Sequence, residues 1–186
     1  MTKQETIQSI MKFLELALSE NALMFFYDIK KSFSEDEDLF YDFLYHYLTI
    51  QKDGTAPLEG RLYADFCTYF SHMLEIQSEE KVLEQIARYA KYYLILRLEY
   101  IEDRDFARSI SVINAYEAWD AYPFLLELMD DYENNRIDLT GLLDMLHMVE
   151  DLAFKRLQTG EENCLSGLGM EINKMLYEAN ESRRIG

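Results

Sequence analysis

One predicted helix carries the side chains whose types and spacing come closest to a reaction centre. Asp144, His147 and Asp151 lie at positions i, i+3 and i+7, which places two carboxylates and an imidazole on one helix face. Such a face could bind a divalent metal ion if other helices added ligands. It could equally be a solvated surface with a local ion pair. We expect no metal ion and no other cofactor.

The remaining candidates for chemistry are weaker. His46 and His72 are separated from other imidazoles along the chain, and each fits a helix surface or the edge of a core. Cys67 and Cys164 make no disulfide framework. Cys67 lies among aromatic residues, which predicts a buried and unreactive thiol. Since the sequence also has no glycine-rich phosphate loop and no nucleophile elbow, it predicts a protein that is not an enzyme.

A polar segment late in the chain has part of the pattern of a calcium-binding loop. Asp131, Glu133 and Asn135 supply oxygen atoms at alternate positions. Arg136 stands where such a loop needs Gly for its sharp turn, and Leu142 stands where it needs a bidentate Glu. We therefore interpret the segment as a turn and not as a calcium site.

The elements that must position these residues are helices. The turn at 132–136 joins two apolar-periodic segments, which predict a helical hairpin from Pro123 to about Asp131 and from Thr140 to about Leu157. Proline suits the first turn of a helix, because the donor that it lacks would be unpaired there. Thr140 is predicted to cap the second helix.

Apolar residues recur at three- and four-residue spacing along most of the chain. Ser34 and Glu37 have the spacing of a capping box. The stretch from Tyr92 to Ile101 has almost no polar side, which predicts a helix at the centre of the bundle. The further predicted helices cover about 2–31 with a break near 19–21, 34–50, 58–74, 78–101, 106–118 and 165–179.

Composition supports a helical protein. Leu, Glu, Met and Ala are frequent, whereas the 186 residues include only 7 Gly and 2 Pro. Apolar residues make up 49% of the chain, which is enough for a globular core. We predict an all-α fold, a single compact bundle of six to eight helices in one domain over 1–186, with a possible N-terminal helical sub-part at 1–33.

The charge balance bears on partners and location. The net charge of −17 argues against direct binding of nucleic acid, which basic patches usually recognise. No apolar run approaches the length of a membrane span, and charged residues interrupt the first segment where a signal peptide would be apolar. We expect a cytoplasmic protein without a membrane partner, and the sequence leaves its oligomeric state open.

Two stretches resemble a known family. The first is Phe43-Leu44-Tyr45-His46-Tyr47-Leu48, the turn at 54–57, Arg61-Leu62-Tyr63-Ala64-Asp65-Phe66 and Tyr69-Phe70; the second is Tyr122-Pro123-Phe124-Leu125-Leu126, the segment 142–149 and Phe154-Lys155-Arg156-Leu157. Over about residues 39–175 the chain is similar to the helical region of GmrSD-type modification-dependent restriction proteins, which belong to bacterial anti-phage systems.

The resemblance implies a scaffold and not a reaction. In that family a ParB-like nucleotidase domain with an Asp-Gly-Gln-Gln-Arg motif precedes the helical region, and many members end in an HNH-type nuclease domain. This sequence has neither motif, so the catalytic residues of the family have no positions here. The family tends to have paired arginines where Lys155 and Arg156 stand, which implies contact with a neighbouring domain or nucleic acid. Alternatively, these two residues are a charge pair favoured by the helix dipole.

Three hypotheses about function follow. The first is a non-catalytic helical scaffold or interaction domain that binds a protein partner or a neighbouring domain. The second is a small metal-dependent enzyme that uses Asp144, His147 and Asp151. The third is an acidic module that binds a basic partner protein.

Overall fold

The computed structural model describes residues 1–34 and 36–159. Within these residues the chain forms α-helices and one short 3-10 helix, Trp119–Ala121, and no strand, so the predicted all-α fold is confirmed. The helix predicted at 165–179, with Gly160 and Cys164, lies outside the described residues. The helices are α1 (Lys3–Ala17), α2 (Glu20–Lys31), α3 (Glu37–Gln51), α4 (Leu62–Ile76), α5 (Glu79–Leu98), α6 (Arg104–Ala115), α7 (Tyr122–Glu133) and α8 (Leu139–Thr159).

Packing divides the chain into two compact units, Met1–Lys91 and a second one that begins at Tyr92. The first unit contains α1 to α4 and the larger part of α5, and the second contains the end of α5 and the helices that follow it. The single domain over 1–186 and the sub-part at 1–33 stay predictions. In the first unit α1 packs against α3 and α4.

The helix ends of the first unit follow from local hydrogen bonds. The Thr2 hydroxyl accepts from the Glu5 N–H at 3.1 Å and the Glu5 carboxylate accepts from the Thr2 N–H at 2.8 Å, a capping box that begins α1. The predicted cap of α3 at Ser34 is wrong. Ser34 has φ of 55°, whereas the Asp36 carboxylate accepts the Leu39 N–H at 2.9 Å and begins the helix.

Aromatic rings fill the core of the first unit. Phe26 on α2 lies edge-on to Phe40 on α3, with 6.0 Å between ring centroids, and to Phe66 on α4, with 6.4 Å. Phe66 stacks on Phe70 at 5.4 Å, and all four side chains are fully buried. Phe66 and Phe70 of α4 therefore belong to the core, whereas Tyr63 and Tyr69 on the same helix are half-buried. α4 begins at Leu62 and not at 58, because Gly60 has φ of +73°, outside the helical region.

In the second unit, α6 and α7 both pack against α8. Pro123 lies in the first turn of α7, as predicted, and every residue from Tyr122 to Asp131 is buried except Glu127. The helical hairpin predicted from Pro123 to Leu157 is confirmed within two residues at each end. The cap predicted at Thr140 is wrong, because the Asp138 carboxylate accepts the Gly141 N–H at 2.8 Å.

The stretch 92–101 is only partly buried. Tyr92, Tyr93 and Leu96 are buried, but Leu98 and Tyr100 are exposed. α5 ends at Leu98 and Glu99 takes φ of 55°, so the last residues of the stretch are outside the helix. Among the described helices, α7 is buried nearly all round.

Candidate functional site

The residues of the predicted metal face lie together on α8. Asp144, His147 and Asp151 are all exposed. Positions 144 and 151 are separated by about 10 Å along a helix axis, so a metal site would need ligands from a second element. Within residues 1–34 and 36–159, no group of three or more His, Cys, Asp or Glu side chains is placed to hold a metal ion.

The other two histidines and Cys67 lie in unlike environments. His46 is buried in α3, deeper than the surface or core-edge position predicted for it. His72 is exposed, with Nδ1 3.8 Å from the Glu75 carboxylate. Burial raises the pKa of the Cys67 thiol, and the half-buried side chain is thereby kept in its less nucleophilic form.

The two basic residues near the end of α8 have different roles. Lys155 is exposed, whereas Arg156 is half-buried. Nη1 of Arg156 donates to both carboxylate oxygens of Asp120, at 3.1 and 3.2 Å. Burial raises the pKa of Asp120, and the guanidinium opposes that rise. Of the pair that the resemblance singled out, Arg156 is engaged inside the second unit and Lys155 faces solvent.

A cation–aromatic cluster surrounds the tryptophan of the chain. The guanidinium carbon of Arg97 lies 4.0 Å from the centroid of the Trp119 ring and 5.9 Å from that of Tyr122. The Tyr122 hydroxyl donates to Oδ1 of Asn114 at 2.6 Å, and burial raises the pKa of Tyr122 well above its ordinary value. Sequence reasoning missed this cluster. Its only signal was Arg97, a lone cation inside an apolar stretch.

The segment that partly matched a calcium loop holds an ion pair instead. Nε of Arg136 donates to Asp131 and Nη2 donates to Asp130, each at 2.5 Å. Both carboxylates are buried, and the Tyr92 hydroxyl donates to Oδ1 of Asp130 at 3.5 Å. Arg136, which stands where a calcium loop needs Gly, thus pairs with Asp131, the residue that would be the first ligand of such a loop.

The first unit has an open groove between α1 and α2, which sequence reasoning also missed. Its volume is about 640 Å³. Apolar side chains from both helices line it: Ile7, Met11, Met24 and the ring of Tyr27. The hydroxyl of Tyr27 donates to the Glu15 carboxylate at 3.0 Å, and the acceptor raises the pKa of the tyrosine.

Charged side chains also line the groove, in equal numbers of each sign. They are Lys12, Lys30, Lys31, Glu15, Asp28 and Glu37. The whole chain has 18 Lys and Arg against 35 Asp and Glu, so the groove is far less acidic than the rest of the protein. An apolar surface with polar groups around it is the usual composition of a binding site.

None of the described helices has the length and apolar character that a membrane span requires. Comparison with protein-family models, with curated proteins and with solved structures finds no match for this chain.

Proposed function

We propose that this protein is a non-catalytic helical interaction domain that binds a partner protein or a neighbouring domain. The observation that carries the proposal is the groove between α1 and α2, about 640 Å³ in volume and lined by apolar side chains from both helices. Grooves of this kind accept a helix whose apolar face is laid between two helices of the domain.

The side chains of the groove suit contact with another protein. Met24 is 59% exposed and Tyr27 is 38% exposed, although both belong to a helix whose other face is buried. Methionine adapts its flexible side chain to a partner's shape, and tyrosine combines an apolar ring with a hydroxyl. A partner that covered both side chains would gain roughly 25 cal/mol of favourable free energy for each Å² of apolar surface removed from water.

The charged pairs of the second unit have a structural role within that unit. Arg156 is bonded to Asp120, and Arg136 is bonded to Asp130 and Asp131. In each pair the guanidinium lies on a buried or half-buried carboxylate, an arrangement that fixes a turn or a helix end. Within residues 1–34 and 36–159, the predicted metal face on α8 is not part of a group of three or more His, Cys, Asp or Glu side chains placed to hold a metal ion.

We further propose, from the resemblance alone, that the domain serves a GmrSD-type restriction system in the bacterial cytoplasm. Its binding partner would then be a nucleotidase or nuclease domain of that system. A nucleotidase or nuclease domain encoded beside this reading frame would support this assignment. Hydrolysis of nucleoside triphosphates or cleavage of DNA by the purified chain alone would contradict it.

Photo-crosslinking tests whether the groove binds a partner. A photoreactive phenylalanine analogue replaces Met24 in one variant and Ser71, which is exposed on α4 outside the groove, in the control. We expect illumination of cells to join position 24 to one defined protein, with crosslinked peptides from a single helix of that protein. The same adducts from position 71, or none from position 24, would contradict the proposal.

A further inference from the structure

The lysines of the groove point to the kind of helix that it binds. We infer that the groove between α1 and α2 takes an amphipathic helix with acidic side chains beside its apolar face, held by Lys12 and Lys31. This inference rests on the proposed function, because it names the chemistry of the partner at the same groove.

The acidic side chains of the groove are mostly engaged. The Glu37 carboxylate lies 3.5 Å from Nζ of Lys30, and the Glu15 carboxylate accepts from the Tyr27 hydroxyl at 3.0 Å. Lys30 and Glu37 thus form an ion pair, whereas the Glu15 carboxylate keeps its negative charge, because its donor is a neutral hydroxyl. Asp28 is the lining carboxylate that forms no such bond among the described residues.

The other two lysines have no acidic partner among the residues that the structure describes. Lys12 and Lys31 are exposed, and within residues 1–34 and 36–159 no carboxylate lies within 4.0 Å of either ammonium group. Counting all six charged side chains, the lining of the groove sums to zero, in a chain whose net charge is −17. A partner's carboxylate therefore meets less repulsion in the groove than over most of the remaining surface, and the exposed Lys12 and Lys31 are placed to attract it.

The groove has the length of a short helical contact. Its lining residues on α1 lie between positions 7 and 15, and those on α2 between positions 24 and 31. Each stripe spans about two helical turns, or roughly 12 Å. A partner helix with apolar residues at i, i+3 or i+4, and i+7 fills such a length, and acids next to these positions would come near Lys12 and Lys31.

Three synthetic helical peptides of about 16 residues test this inference, since isolated helices much shorter than that are marginal in water. All have Leu at the apolar positions, and the flanking positions are Glu in one peptide, Gln in the second and Lys in the third. The variant Lys12→Glu/Lys31→Glu is compared with Lys81→Glu/Lys91→Glu. The control changes two exposed α5 lysines outside the groove and alters the net charge equally.

Binding is measured by fluorescence anisotropy on the full chain, and circular dichroism verifies the helical content of each variant. We expect the Glu peptide to bind about tenfold more tightly than the Gln peptide, and added salt to reduce that preference. The groove variant should lose this preference and favour the Lys peptide, whereas the control variant should keep the order seen with the unmodified chain.

The outcomes separate the two proposals. If Glu and Gln peptides bind equally well and Met24→Glu abolishes both, the groove is an interaction site but the inference about acidic helices is wrong. If the groove variant and the control variant lose affinity equally, overall charge and not Lys12 and Lys31 sets the preference, and the inference is again wrong. If no peptide binds, both the inference and the proposed groove function are overturned.

Discussion

Arg156, in the last turns of α8, lies with its Nη1 3.1 and 3.2 Å from the two carboxylate oxygens of Asp120. The bond joins α8 to the 3-10 helix that precedes α7, across 36 positions of sequence. Only 16% of the Arg156 side chain and 20% of the Asp120 side chain is exposed. The pair is therefore sheltered enough from water for its loss to be measurable.

Arg156→Ala should lower the free energy of unfolding by about 2 kcal/mol near neutral pH, because it leaves a half-buried carboxylate without its cation. Lys155→Ala changes an exposed neighbour on the same helix and should cost less than about 0.5 kcal/mol. Urea denaturation of both variants measures the difference. Equal losses in the two variants would refute the structural role of the pair.

The cost of Arg156→Ala should depend on pH. Burial holds the folded-state pKa of Asp120 above its ordinary value, so the folded protein binds that proton more tightly than the unfolded chain does. The stability that this proton gives is present below the unfolded pKa, about 4, and is lost as the pH rises through the folded value. Without Arg156 the folded pKa rises further, so the loss caused by the substitution should grow from acid to neutral pH. A loss that does not change with pH would contradict this assignment.

Arg136→Ala should destabilise the protein by about 3 kcal/mol, because it removes the guanidinium that is bonded to two buried carboxylates. Asp131→Asn, added to Arg136→Ala, should recover part of the loss, since the amide is neutral. Arg108→Ala, on an exposed position of α6, is the matched control for removing an arginine. Chemical denaturation measures all three variants, and no recovery in the double variant would speak against charge burial as the cause.

Arg97 and Trp119 should be energetically coupled, because the guanidinium carbon lies 4.0 Å from the ring centroid. A double-mutant cycle with Arg97→Gln and Trp119→Leu should give a coupling energy of about 1 kcal/mol. The free energies of unfolding of the four proteins provide the measurement. Strictly additive losses would mean that the two side chains are neighbours without a net attraction.

Glu117→Gly should stabilise the protein by up to about 1 kcal/mol, because Glu117 has φ of 51° and glycine adopts that conformation without steric cost. Glu84→Gly, at an exposed position inside α5, should destabilise it by about 1 kcal/mol. The melting temperature should therefore rise in Glu117→Gly and fall in Glu84→Gly, although both variants replace Glu by Gly. A lower melting temperature for Glu117→Gly would show that its side chain matters more than its backbone.

Helix positions were predictable to within a few residues, but two of the predicted helix caps were wrong. Both wrong caps, Ser34 and Thr140, have a second capping residue two positions away, Asp36 and Asp138. Ser, Thr and Asp all accept an N–H at a helix start, so side-chain chemistry does not distinguish them. Backbone conformation does, as the φ of 55° at Ser34 illustrates.

The sequence by itself determined the all-α fold, the break between α1 and α2, and the hairpin of α7 and α8, because apolar spacing and proline position act within a few residues. Only the tertiary structure decided that Arg156 bonds Asp120, that Arg97 lies on Trp119, and that α1 and α2 leave a groove between them. Such contacts join residues distant in sequence, and local periodicity fixes which face of a helix is buried but not which partner covers it.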